Sequence, residues 1–196
     1  AMMRDGVEIG LPVSHKPLEV FGVALAIVLP IAVMLRLADL WVAVLMIVCG
    51  VLQVARAAGW RPGFAARQPI LWSLHLGFAL VGFGLILIGL ALLGFGSEVA
   101  ALHVTAIGGV AGMTLAVMSR ATLGHSGRPL VAPRMLAAAY AMLPLAAALR
   151  WVASGLSGAW YFPGAVGAGL LWILAFAFYA AALWPAFWGP RVQAKE

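Results

Sequence analysis

An all-α bundle of about six transmembrane helices is the fold this sequence predicts, and three observations predict it. The chain is 65% hydrophobic and only 9% charged. Its mean hydropathy is +1.08. Six segments each approach the roughly 20 mostly apolar residues that a spanning helix needs. A soluble domain of 196 residues would have to cover its outside with this apolar surface, and water would reject it. Lipid is the alternative solvent, so the sequence reads as a polytopic membrane protein.

The spans follow in order. The first covers about Leu18 to Leu35, with Pro30 as a kink inside it. The second covers about Leu40 to Ala58. The third runs from about Pro69 to Gly94, and Pro69 suits a first helical position. The fourth runs from about Ser97 to Thr122; Ser97 fits an N-cap and Glu98 complements the helix dipole. The fifth covers about Pro133 to Val152, with Pro144 inside it, and the sixth about Pro163 to Phe187. Short links predict antiparallel neighbours. Outside the membrane domain of residues 18–188 lie a surface segment, 1–17, and a tail, 189–196. The first segment is mixed polar and does not read as a cleavable signal peptide.

Charge sets the expected orientation. Six spans put both termini on one face. That face holds Arg4, Lys16, Arg56, Arg61, Arg67, Arg120, Arg128, Arg134, Arg191 and Lys195. The other holds Arg36 and Arg150. The bias predicts cytoplasmic termini. The net charge of +6 therefore belongs to membrane orientation and not to nucleic acid. Trp60, Trp72, Trp151, Trp160, Trp184 and Trp188 near span ends fit an interfacial aromatic belt. One cysteine, Cys49, excludes an internal disulfide and a CxxC metal cluster.

Four histidines are the strongest potential metal ligands. At ~1.5 Å per residue, His75 lies about 30 Å down the third span from the turn near Phe95 and Gly96. His125 falls just past the far end of the fourth span, and His15 precedes the first, so His15, His75 and His125 share the cytoplasmic half. His103 is on the opposite side, roughly 18–20 Å from His75 in depth. Two sites, or one site and a remote histidine, follow. An intramembrane histidine needs a partner, and neutral imidazole also ligates haem iron and copper. The plain alternatives are a helix–helix contact for His75, a boundary hydrogen bond for His103 and a solvated interface residue for His125. His15 sits in an unremarkable tail. Gly77, Gly82, Gly84 and Gly89, with Gly108, Gly109 and Gly112, either bring helices together or leave room for a flat macrocycle. The loop Gly124-His125-Ser126-Gly127-Arg128 could hold an anion such as a propionate or a phosphate; its plain reading is a helix C-cap followed by a basic residue. No acidic pair sits at mid-membrane, as proton or sodium coupling would usually require. No nucleotide loop, catalytic triad or zinc-protease motif appears.

Two stretches carry a resemblance. Leu71-Trp72-Ser73-Leu74-His75-Leu76-Gly77-Phe78 is one. The other runs from Leu102-His103 through Gly108, Gly112, Met113 and Ala116-Val117-Met118-Ser119-Arg120 to Leu123-Gly124-His125-Ser126-Gly127-Arg128. Over about sixty residues they resemble the NnrS proteins, polytopic bacterial membrane proteins tied to nitric oxide metabolism and nitrosative stress. Typical members look about twice as long, and the chain resembles their carboxy-terminal half; a version of this length is then a candidate homodimer, needs a partner, or binds less. The resemblance implies haem b and copper as cofactors, with His75, His103 and His125 as candidate ligands, and does not assign metals among them. It implies a bacterial inner-membrane location and a role against nitric oxide. His75 would be the first axial ligand and Arg128 a propionate partner. His125 would be a second ligand or the copper ligand, and His103 would belong to a separate outer site or face the bundle. The loop often carries threonine in that family where Ser126 stands here. Catalysis stays open. A small cytochrome b exchanging electrons with quinol, a cofactor-free transporter or permease, and a structural subunit are the competing readings.

Overall fold

The computed structural model describes residues 16–60, 62–156 and 158–192, and all of its regular structure there is helical. His15 and most of the two terminal segments lie outside the described residues. Six helices are long and apolar enough to cross a membrane. They are α1 (Lys16–Met34), α2 (Asp39–Ala58), α4 (Pro69–Leu92), the composite span Glu98–His125, α7 (Arg134–Gly155) and α8 (Tyr161–Trp188). A one-turn helix α3 (Pro62–Ala65) sits between α2 and α4, and a short 3-10 turn (Gly158–Trp160) leads into α8. Each expected span is present, with ends shifted by a few residues. The molecule is a multi-pass membrane protein.

The fourth span differs from a plain helix. It is built of α5 (Glu98–His103), a π-helical segment (Val104–Ala111) and α6 (Gly112–His125). Ser97 caps its start, its hydroxyl accepting the Ala100 N–H at 3.4 Å. A π segment widens the turn, so residues before and after it fall on faces that a uniform 3.6-residue period does not place. The segment is wedged between α4 and α7. A Cβ on Gly109 would stand 2.6 Å from a Val81 methyl, and one on Gly108 would meet Leu80 at 2.9 Å and Ala147 at 3.1 Å.

The glycines of α4 settle what the sequence left open. Gly77 and Gly84 face the fourth span, where an added Cβ would meet Met113 or Thr105. Gly82 and Gly89 face α2, where it would meet the backbone oxygens of Gly50 or Ala43. Both glycine faces are filled by close-packed helix, and neither leaves room for a flat group. α4 is thus the centre of one half of the bundle. The other half is the α7–α8 pair against α6. Its core is Leu115, Leu123, Leu136, Tyr140, Leu143, Tyr179 and Leu183, all buried. α1 leans on α2 and leaves most of its side chains facing outward, as a lipid-facing helix does.

Candidate functional site

His75 stands in the second turn of α4 and is half buried. Its ring is held at both nitrogens. Nδ1 lies 2.8 Å from the Leu71 carbonyl oxygen one turn back, and Nε2 lies 2.9 Å from the Trp60 carbonyl oxygen. Neutral imidazole has one N–H and donates to only one of these. The Trp60 indole meets the His75 ring edge-on at 5.6 Å and stacks, tilted, against Phe78 at 4.7 Å. Phe78 in turn receives the Arg56 guanidinium at 5.6 Å from its ring centroid. Arg56 also donates from Nη1 to Gln53 Oε1 at 3.1 Å and packs against Gly22 of α1, while its buried Nε has no partner among the described residues. Beside this cluster opens an apolar cavity of about 520 Å³. His75, Trp72 and Leu76 of α4, Ala57 of α2 and Pro62 and Ala65 of the α3 link are among its lining. Among the described residues no cysteine, no methionine and no second histidine lines it.

His103 ends α5 and is also half buried. Its Nδ1 donates to the Val99 carbonyl at 2.6 Å, again one turn back. That bond selects the tautomer whose Nε2 carries the lone pair. Nε2 has no hydrogen-bond partner among the described residues. His103 lines a second cavity, of about 410 Å³, with Ile107, Arg150, Ala168, Trp172 and Ile173. Arg150 donates to Ser154 Oγ at 2.6 Å and to the Tyr161 hydroxyl at 3.3 Å, and lies over the Tyr161 ring. The two cavities share no lining residue, so the two histidines line separate cavities.

His125 and Arg128 line neither cavity. The helix does not stop at Thr122 but continues through His125, because Gly124 keeps a helical backbone and the break comes at Gly127. Gly127 has φ +71. The Arg128 N–H donates to Leu123 O at 2.9 Å and the Gly127 N–H to Gly124 O at 3.1 Å, which is the double closure of a Schellman cap. The loop is then pinned to the end of the chain: the Val192 N–H donates to Ser126 O at 2.9 Å. Arg128 Nη2 donates to the Pro185 carbonyl at 2.6 Å, placing a cation on the C-terminal turn of α8. Its Nη1 is buried without a partner among the described residues. His125 is exposed.

Among the described residues no three His, Cys, Asp or Glu side chains converge on a point. A haem fits what is present better than copper does. Haem asks for one axial imidazole beside an apolar cavity of cofactor size, about 300–1,000 Å³, and His75 and His103 each offer that. A copper site needs several converging ligands. Sequence reasoning missed Trp60, Phe78, Arg56 and Arg150 as neighbours of the histidines. Only the unusual density of aromatic and basic residues at those span ends hinted at them.

No curated protein and no solved structure matches the chain. A sequence model described as NnrS protein matches residues 2–191, well beyond the sixty residues that carry the motifs. The chain belongs to the NnrS family of membrane proteins, which is linked to the nitric oxide response.

Proposed function

We propose that this protein is a haem-binding membrane protein that protects a bacterial cell against nitric oxide or nitrosative stress from within the inner membrane, its termini on the cytoplasmic side. The observation that carries the reading is shared by His75 and His103. Each ring lies with Nδ1 on the carbonyl four residues earlier and lines its own cavity; His103 Nε2 has no hydrogen-bond partner among the described residues, and His75 Nε2 lies 2.9 Å from the Trp60 carbonyl. That backbone contact is the usual way a helix orients a metal-ligating imidazole.

His75 would be the first residue to hold the haem iron. Trp72, Leu76 and the alanines of α2 and α3 give its cavity an apolar lining, and Arg56 and Phe78 pack on each other beside Trp60. Bound there, haem supplies a redox-active iron that takes nitric oxide as a ligand. His103 is the candidate of the outer cavity. For Arg128, a propionate contact would fall to Nη1, since Nη2 is engaged by Pro185. Copper has no cradle among the described residues, and we route no step through it. A bis-histidine cytochrome b would need two histidines in one cavity, and among the described residues each of these two cavities has one.

The test is an absorption spectrum of purified protein, oxidised and reduced, with iron and copper analysis. A Soret band that His75→Gln abolishes and His103→Gln leaves in place is the expected result. A protein that stays colourless after haem reconstitution overturns the reading.

A further inference from the structure

α8 parts from the fourth span along its length. It packs on α6, but toward the other end of the bundle it makes at most marginal contact with α5 and the π segment, and α7 bridges the gap. The cavity of about 410 Å³ fills that gap, with His103 and Ile107 on one wall, Gly169, Trp172 and Ile173 on the other, and Arg150 of α7 between them. Trp172 and Ile173 are exposed on the outside of the bundle, so the cleft is reached from lipid. Arg150 stands five residues before the end of α7 at Gly155, about 7 Å along the axis. Its guanidinium is drawn toward that end, by Ser154 Oγ at 2.6 Å and by the hydroxyl of Tyr161, the first residue of α8, at 3.3 Å. Those bonds leave the other N–H groups of the fork open, and no carboxylate pairs with Arg150 among the described residues. Hydroxyls solvate a cation without neutralising it, and a cation at membrane depth calls for a counter-charge.

We propose that this cleft binds one anionic phospholipid, its phosphate on the open N–H groups of Arg150 and one acyl chain along Ile107, Trp172 and Ile173. Charge selects the head. The guanidinium is a planar fork suited to phosphate, and Ser154 and Tyr161 already hold it in place, so little rotamer freedom is lost when an anion docks. Depth selects the tail. Trp172 lies eleven residues past Tyr161, about 16 Å further along α8. The cleft therefore runs from the level of the helix ends, where lipid phosphates lie, into the hydrocarbon, as a chain tethered to a phosphate must. Bound there, the lipid would stand between α8 and the fourth span where those helices do not meet. The site uses no nitrogen of His103 and is independent of haem at His75. A haem held at His103 would compete with the lipid for the same space.

The experiment titrates cofactor-free protein in detergent with phosphatidylglycerol, and separately with phosphatidylcholine of the same acyl chains, and reads bound lipid by native mass spectrometry. The first phosphatidylglycerol is expected to bind more tightly than phosphatidylcholine. Arg150→Gln should weaken it by about tenfold, the weight of one charge-assisted hydrogen bond. Gly169→Leu tests the tail. A Cβ at Gly169 meets nothing within 4 Å, so the leucine enters the cleft without a clash and leaves Arg150 in place. It should weaken the same lipid by a similar factor. Arg134→Gln removes an exposed arginine from the opposite end of α7 and should leave that first affinity unchanged. Circular dichroism checks that each variant is folded; if Arg150→Gln is not, Gly169→Leu and the comparison of the two lipids decide. Phosphatidylcholine that binds as tightly as phosphatidylglycerol overturns the proposal. So does an affinity unchanged in folded Arg150→Gln or in Gly169→Leu. Displacement of the lipid by one equivalent of haemin from the unaltered chain, but not from His103→Gln, gives the cleft to haem and overturns it as well.

Discussion

Gly84 of α4 and Thr105 of the π segment touch so closely that a Cβ on the glycine would overlap the threonine hydroxyl. Thr105 itself donates to Ala101 O at 3.3 Å, so its hydroxyl is tied into the helix at the point where the backbone widens. This contact sets how closely the third and fourth spans meet.

Gly84→Ala is accordingly expected to lower stability by about 1–3 kcal/mol, since overpacking at a helix contact forces backbone to shift. Gly124→Ala is the control. Gly124 is helical and its Cβ would meet nothing within 4 Å, so the change should be neutral or slightly stabilising. Thermal unfolding in detergent, followed by circular dichroism, compares the two. Equal melting temperatures would contradict the close contact.

Gly127→Ala should cost about 1–2 kcal/mol or more. It forces a side chain into a left-handed backbone, and the new Cβ would run into the Val192 carbonyl. Release of the chain end from the Ser126 carbonyl would follow, seen as faster amide exchange at Val192.

Arg128→Gln is expected to destabilise by roughly 1–3 kcal/mol through loss of the charge-assisted bond to Pro185 O. Haem stoichiometry after reconstitution separates the helix-capping role from a propionate role. Reduced melting with full haem loading is the outcome expected from the capping geometry; a loss of haem at unchanged melting temperature would assign the residue to the cofactor.

Tyr140→Phe tests the interior of the α6–α7–α8 half. The hydroxyl is buried and makes no well-formed hydrogen bond among the described residues, although the Ser119 hydroxyl, itself donating to Leu115 O, stands close enough to interact with it. Removing an unpaired buried hydroxyl while keeping the ring, which packs edge-on against Trp72 at 6.1 Å, should leave stability unchanged or raise it by up to about 1 kcal/mol. A clear drop in melting temperature would mean that the hydroxyl is bonded after all.

By itself, the sequence determined the number of spans, their order and nearly all their limits, because lipid demands about 20 apolar residues per crossing and leaves few ways to write them. It also placed His75 and His103 in different regions, since helical rise converts residue count into depth. Ser97 and the Gly127-Arg128 turn were legible as caps, since capping chemistry is local. Tertiary structure decided the rest. Whether α4's glycines hold a cofactor or a neighbouring helix depends on what lies across from them, and Gly50, Thr105 and Met113 come from other spans. The π turn in the fourth span answers to packing between α4 and α7, not to a sequence period. The carbonyl on His75 Nε2 comes from a residue fifteen positions away, and a backbone oxygen leaves no mark on side-chain identity.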